Sequence, residues 1–324
     1  MLYNPNNVTD EAAPVTVDLE IEFGKMVCDM LGYGSRSWAH ITSGGTIANI
    51  EALWVARQVQ FLPLMIQEFC LRKKIKYEIK LPNSKNSETS YINYVDKNVM
   101  LSLKPNDILE MLQDFLEHLV SNCNYSRESA HSSFNNFIIT SCYSIKHAGL
   151  HNVIKKVGLE PVVFIPESAH YSFKKAVNLL GYGENSIRSI PLTNKFRIDV
   201  NKLKDSILSM NKNEYIAAVV VVAGTTEEGA VDPIHEVKFL RDQLEEEHNR
   251  SFWIHVDAAW GGYMRTLFVH DKTEHIPFSS SNLTDIASYY MDKMDITESF
   301  KDPYTMRNVK FKWADSRQST LWLY

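Results

Sequence analysis

The residue with the clearest chemical potential in this 324-residue chain is Asp257, in the run Phe252-Trp-Ile-His-Val-Asp-Ala-Ala-Trp-Gly-Gly262. The run opens apolar and β-rich and closes in small residues, so the carboxylate falls where a strand finishes. A charge taken out of water without a partner is costly, so this one needs a partner. Ala258-Ala259 leave a flat, shallow surface beside it, and Gly261-Gly262 leave room. A planar cationic heteroaromatic ring, such as a pyridinium, meets both conditions. The plainer alternative is a carboxylate that caps a turn.

Two further stretches could share a site with it. In Ile41-Thr-Ser-Gly-Gly-Thr-Ile-Ala-Asn49, the Gly44-Gly45-Thr46 turn precedes a helix-like Ile50 to Phe61. Free backbone N–H groups and the helix dipole there favour a phosphate. No Gly-Lys-Ser/Thr follows, so it is not a Walker A loop, and on this motif alone an ordinary N-cap turn is the better reading. In Ser168-Ala-His-Tyr-Ser172, His170 could lie against the other face of a ring, or be a solvated loop histidine. Thr225 and Thr226 could hydrogen-bond a phenolate or carboxylate, or merely cap the turn before Glu227.

The elements that must position these residues follow an α/β pattern. Val17 to Leu31 is helical in spacing, and Asp107 to Val120 is an amphipathic helix capped by Asn106 or Asp107. Residues 68–100 lack periodicity and read as a surface excursion. From 137 onward, strands are expected at Phe137–Thr140, Pro161–Pro166, Ile187–Leu192, Ile216–Ala223 and Phe252–Val256. Helices are expected between them at Ala148–Val157, Ser172–Leu180, Val200–Met210 and Pro233–Glu247. Such alternation predicts a mostly parallel sheet flanked by helices, with ligands beyond the carboxyl ends of its strands. Gly224-Thr-Thr226, Asp257 and His170 all fall at such ends. Weak helices are expected around Leu283 to Met294.

Composition narrows the function classes. The net charge of −5 argues against a nucleic-acid surface. Cys28, Cys70, Cys123 and Cys142 are scattered, without metal-ligand spacing, which fits structural thiols in a reducing compartment. The start has no secretory character, and Ile216 to Ala223, the longest apolar run, is too short to cross a bilayer. A soluble cytoplasmic protein without membrane contact is expected.

Four ordered motifs resemble the group II pyridoxal-phosphate-dependent amino-acid decarboxylases. They are Thr42-Ser-Gly-Gly-Thr-Ile-Ala-Asn49, His170-Tyr-Ser172, Gly224-Thr-Thr-Glu-Glu-Gly-Ala-Val-Asp-Pro233 and His255-Val-Asp-Ala-Ala-Trp-Gly-Gly262. Tyr3-Asn-Pro-Asn-Asn-Val8 and Ala169-His-Tyr-Ser-Phe-Lys-Lys175 look most like the tyrosine-decarboxylase branch. The resemblance implies an aspartate-aminotransferase-type large domain (fold type I of pyridoxal-phosphate enzymes), a homodimer, and decarboxylation of an L-amino acid, aromatic in preference to glutamate. By motif, Gly45 and Thr46 would bind the cofactor phosphate. His170 would stack on the ring, Asp257 would pair with its nitrogen, Ala259 would pack beneath it and Thr226 would lie close by. His170 and Asp257 are thus the catalytic candidates.

The same resemblance divides the chain into an N-terminal arm and helix (1–35), a partial cofactor-binding large domain (36–316) and a tail foreign to the family (317–324). In the family, Ala-Asp-Ser is soon followed by the Schiff-base lysine. Here Ala314-Asp-Ser316 leads into Arg-Gln-Ser-Thr-Leu-Trp-Leu-Tyr324, no lysine follows Lys312, and Leu323 stands about where it belongs. The expectation is therefore a fragment of a longer decarboxylase. The alternatives are a remnant that binds cofactor or a partner without turnover, and a different pyridoxal-phosphate lyase on the same fold.

Overall fold

The computed structural model describes residues 13–33, 37–81, 89–267 and 319–322. Three helices lead: α1 (Pro14–Met30), α2 (Gly45–Gln60) and α3 (Leu62–Lys73). A small antiparallel pair, β1 (Glu78–Lys80) and β2 (Thr89–Tyr91), follows. Then come α4 (Lys97–Met100), α5 (Pro105–Asn122), α6 (Arg127–Thr140), α7 (Ile145–Ala148) and α8 (Leu150–Val157).

The alternating part follows as β3 (Glu160–Pro166), α9 (Ser172–Leu179), β4 (Ile187–Ile190), α10 (Val200–Leu208), β5 (Glu214–Val222), α11 (Ile234–His248) and β6 (Ile254–Asp257). With β7 (Ser319–Trp322), these strands form one sheet in the order β4-β3-β5-β6-β7, every pairing parallel. The expected α/β class is what is seen. Residues 319–322, set apart in the sequence as foreign, add the strand beside β6.

Both faces of the sheet are covered, because successive strand residues point to opposite sides. On β3, Val163 and Ile165 enter a core shared with α2, α3, α5 and α6, while Val162 and Phe164 enter a second core under α10 and α11. Val220 and Val221 divide the same way on β5.

Three expectations are corrected. The described residues of 68–100, namely 68–81 and 89–100, are no surface excursion: Phe69, Cys70, Ile92 and Met100 are fully buried. The short elements after α3 bury at most one side chain each, Ile79 on β1 and Met100 on α4 among them, so no long period shows. Phe137–Thr140 is not a strand but the last turn of α6. Helical register puts Ala130, Phe134 and Phe137 on one buried face, and Phe69 meets Phe134 and Phe137 edge-on, which outweighs the β-preference of Ile138-Ile139. Helix α5 is capped by Lys104, not Asn106 or Asp107, because Pro105, lacking an N–H, suits the first helical position. The helices expected around Leu283 to Met294 lie outside the described residues. Among the described residues, no helix is long and apolar enough to cross a membrane.

Candidate active site

Parallel strands bring their carboxyl ends to one side of the sheet. There the ends of β3, β5 and β6 and the first turn of α2 line an open cleft of about 420 Å³. Asp257, the last residue of β6, is 7 % exposed and lines it. Its Oδ2 accepts from Nδ2 of Asn49 at 3.0 Å and its Oδ1 from the Ala259 N–H at 3.3 Å. Ala259 is half-buried at the cleft wall.

Gly261 serves the backbone more than a ligand. The Gly261 N–H donates to the Ala223 carbonyl at 2.8 Å, and a Cβ on Gly261 would come within 2.1 Å of that oxygen. Gly261 therefore lets the segment after β6 lie directly on the end of β5, and the room it leaves is filled by main chain.

The end of β5 is held from below by Asp232. This carboxylate is 1 % exposed and accepts from the Val222 and Ile198 N–H groups, each at 2.7 Å. Burial pushes its pKa up to about 6, against the lowering effect of the two N–H groups and Arg197. In the turn beyond β5, Thr225 Oγ1 accepts from the Ala230 N–H at 3.0 Å and donates to Glu228 at 3.3 Å. Thr225 thus closes the turn, whereas Thr226 is exposed along the cleft.

Helix α2 begins at Gly45, with Gly44 as its cap at φ +124°, a backbone region that favours glycine. Its first N–H groups have no intrahelical acceptor, which leaves positive charge density at the Gly45 edge of the cleft. Thr46 lies in the same turn, half-buried, but is not part of the cleft wall. His170, half-buried in the loop after β3, also lines the cleft. The Ser172 N–H donates to its Nδ1 at 3.2 Å, so the neutral ring carries its proton on Nε2.

Gly45, His170, Thr226, Asp257 and Ala259 therefore meet at one cleft, and Thr46 sits one residue outside it. Sequence reasoning missed Asn49 and Ser168 as lining residues. A signal for Asn49 existed: it stands one helical turn after Gly45 and so shares its face. Ser168 Oγ is buried and has no hydrogen-bond partner among the described residues.

Residues 139–308, slightly more than half of the chain, match the family model of the pyridoxal-dependent decarboxylase conserved domain. The chain belongs to this family. His170, Thr226, Asp257 and Ala259 fall inside the matched range, while the α2 residues precede it. The chain is similar to the L-tyrosine decarboxylase of Enterococcus faecium, 32 % identical over 86 % of this chain and 39 % of that protein. It is 31 % identical to the Levilactobacillus brevis L-tyrosine decarboxylase over 86 % of this chain and 38 % of that one. It thus spans about two fifths of these relatives. Among solved structures, the glutamate decarboxylase domain of a Vibrio parahaemolyticus diaminobutyrate-pyruvate transaminase and L-2,4-diaminobutyrate decarboxylase aligns at a TM-score of 0.47 and 17 % identity, over 81 % of this chain and 39 % of that one.

Pyridoxal phosphate is the family's cofactor, and the cleft fits it. The start of α2 offers helix N–H groups to an anion, the end of β6 offers a buried carboxylate beside the small Ala259, and the buried Ser168 hydroxyl has no hydrogen-bond partner among the described residues.

Proposed function

We propose that this cleft holds pyridoxal 5′-phosphate, and that the protein removes the carboxyl group of an L-amino acid, tyrosine or another aromatic one in preference to glutamate. The observation that carries the reading is the buried Asp257 carboxylate, anchored by Asn49 and the Ala259 N–H yet lining the cleft. When bound, the protonated pyridine ring supplies an electron sink for the pair left behind as carbon dioxide departs.

The protein's own residues divide the work. Asp257 would accept the ring N–H and keep that proton in place. The N–H groups of the Gly45-Thr46 turn would take the phosphate. His170 would lie on one ring face with its Nε2–H directed by the Ser172 bond, Ala259 would pack beneath the other, and Thr226 would lie close to the cofactor. The aromatic preference is supported by relatives described as L-tyrosine decarboxylases. We further propose a cytoplasmic protein, in line with four free cysteines, and a homodimer, as the family resemblance implies.

One observation favours a second reading, cofactor binding without turnover: Leu323 stands about where the family motif places its lysine. Titrating the purified protein with pyridoxal phosphate, followed by carbon dioxide release from L-tyrosine, L-tryptophan and L-glutamate, separates these. Saturable binding with release fastest from an aromatic substrate supports the first reading. Binding without release favours the second, and absence of binding overturns both.

A further inference from the structure

We propose that Asn49 and the buried His255 are positioning residues that set both Asp257 and His170 toward the cofactor, an inference that rests on the pyridoxal phosphate reading above. His255 and Asp257 are two residues apart on β6, so their side chains leave the same face of the sheet. Asn49 descends onto that face from α2 and is 2 % exposed. Its Nδ2 lies 3.0 Å from Asp257 Oδ2 and 3.0 Å from Ser172 Oγ, and its Oδ1 lies 2.7 Å from His255 Nε2.

The chemistry fixes every direction in this cluster. A carboxylate only accepts, so the amide nitrogen must face Asp257. The amide oxygen then faces His255, whose Nε2 must carry a proton and donate it. Both Nδ2 hydrogens are used, one on Asp257 and one on Ser172. Ser172 in turn donates its backbone N–H to His170 Nδ1. One amide therefore ties together the residue assigned to the ring nitrogen and the residue assigned to the ring face. His255 is fully buried and outside the cleft, so its effect there is indirect: its hydrogen bond leads to Asn49, and its ring packs edge-on against Phe173, the residue after Ser172.

The test uses the full chain and pyridoxamine 5′-phosphate, which needs no lysine to bind. Its affinity is measured together with the nitrogen-15 shift of its ring nitrogen, which reports protonation, and unfolding without ligand serves as the folding control. His255→Phe keeps a flat ring but no donor, His255→Gln keeps a donor, and Asn49→Ala removes the link. Losing one buried hydrogen bond corresponds to about tenfold in affinity. His255→Phe and Asn49→Ala are expected to weaken binding by that factor and move the ring nitrogen toward its unprotonated shift. His255→Gln is expected to restore both. Asp257→Ala, which should abolish the protonated signal, tests the underlying reading. If Asp257→Ala loses that signal while His255→Phe and Asn49→Ala bind and resonate as wild type, the positioning role is overturned and the cofactor reading stands. If wild type does not bind, or Asp257→Ala keeps the protonated signal, the reading falls and takes this role with it. Should His255→Phe not fold, Asn49→Ala decides alone.

Discussion

The main-chain N–H of Ser172 donates to Nδ1 of His170 across 3.2 Å, so the first residue of α9 sets the orientation of a ring two positions earlier. A histidine in a loop has two tautomers and a free χ2. Here one nitrogen is occupied by backbone that a helix holds in place, on a histidine that lines the cleft.

Replacing His170 by Asn separates the two nitrogens, because the Asn Oδ1 can still accept from Ser172 while the ring is gone. The fold should be retained, with an unchanged unfolding midpoint. Loss of ring stacking should weaken pyridoxal phosphate binding by up to about tenfold. A spectroscopic titration that finds His170→Asn binding as tightly as wild type would remove the stacking role.

Gly261→Ala tests the close approach of β5 to the segment after β6. The new Cβ would sit 2.1 Å from the Ala223 oxygen, with main chain on both sides, so neither can yield without shifting the cleft wall. The expected loss is about 1–3 kcal/mol of stability, typical of overpacking. Denaturant unfolding measures it, and a wild-type midpoint would show that the backbone relaxes freely.

Much of this arrangement was legible in sequence. Ile216 to Ala223 announces itself as a strand buried on both faces, because such strands read as unbroken apolar runs. Asp257 at its strand end followed from the change from bulky to small residues. What stayed hidden depends on contacts far apart in the chain. Asn49 reveals its role only when α2 lies against β6, more than two hundred residues later in sequence. Gly261 looked like space for a ligand because nothing local shows that Ala223 occupies that space. The core elements around Phe69 carry no long period, and Phe137-Ile-Ile-Thr140 has strand composition that only tertiary packing overrules.

Phe69 shows what that packing is worth. It is fully buried on α3, with Phe115, Phe134 and Phe137 edge-on at ring-centroid distances of 5.6, 5.6 and 5.1 Å. Phe69→Ala would open a cavity where α3, α5 and α6 meet, at a cost of about 3–5 kcal/mol. Thermal unfolding should show this loss in the absence of any ligand. A surface excursion, by contrast, would tolerate the change almost without effect.

Asp232 predicts a pH dependence whose sign follows from its burial. Its carboxyl ionises near pH 3.8 when exposed and at about 6 in the fold, burial being the dominant cause. Between those values the folded chain binds the extra proton, so the contribution to stability is fully present below about pH 3.8 and is lost as pH rises through about 6. The difference of roughly two pKa units corresponds to about 3 kcal/mol. Asp232→Asn stays neutral at every pH, though it also loses one of the hydrogen bonds from Val222 or Ile198 and starts from a lower stability. Unfolding free energies of both proteins, measured from about pH 4 to 7, should therefore converge as pH rises, the wild type losing its lead by about that amount. Parallel curves would mean that Asp232 ionises in the fold at its ordinary pKa, its two 2.7 Å N–H donors having offset the whole cost of burial.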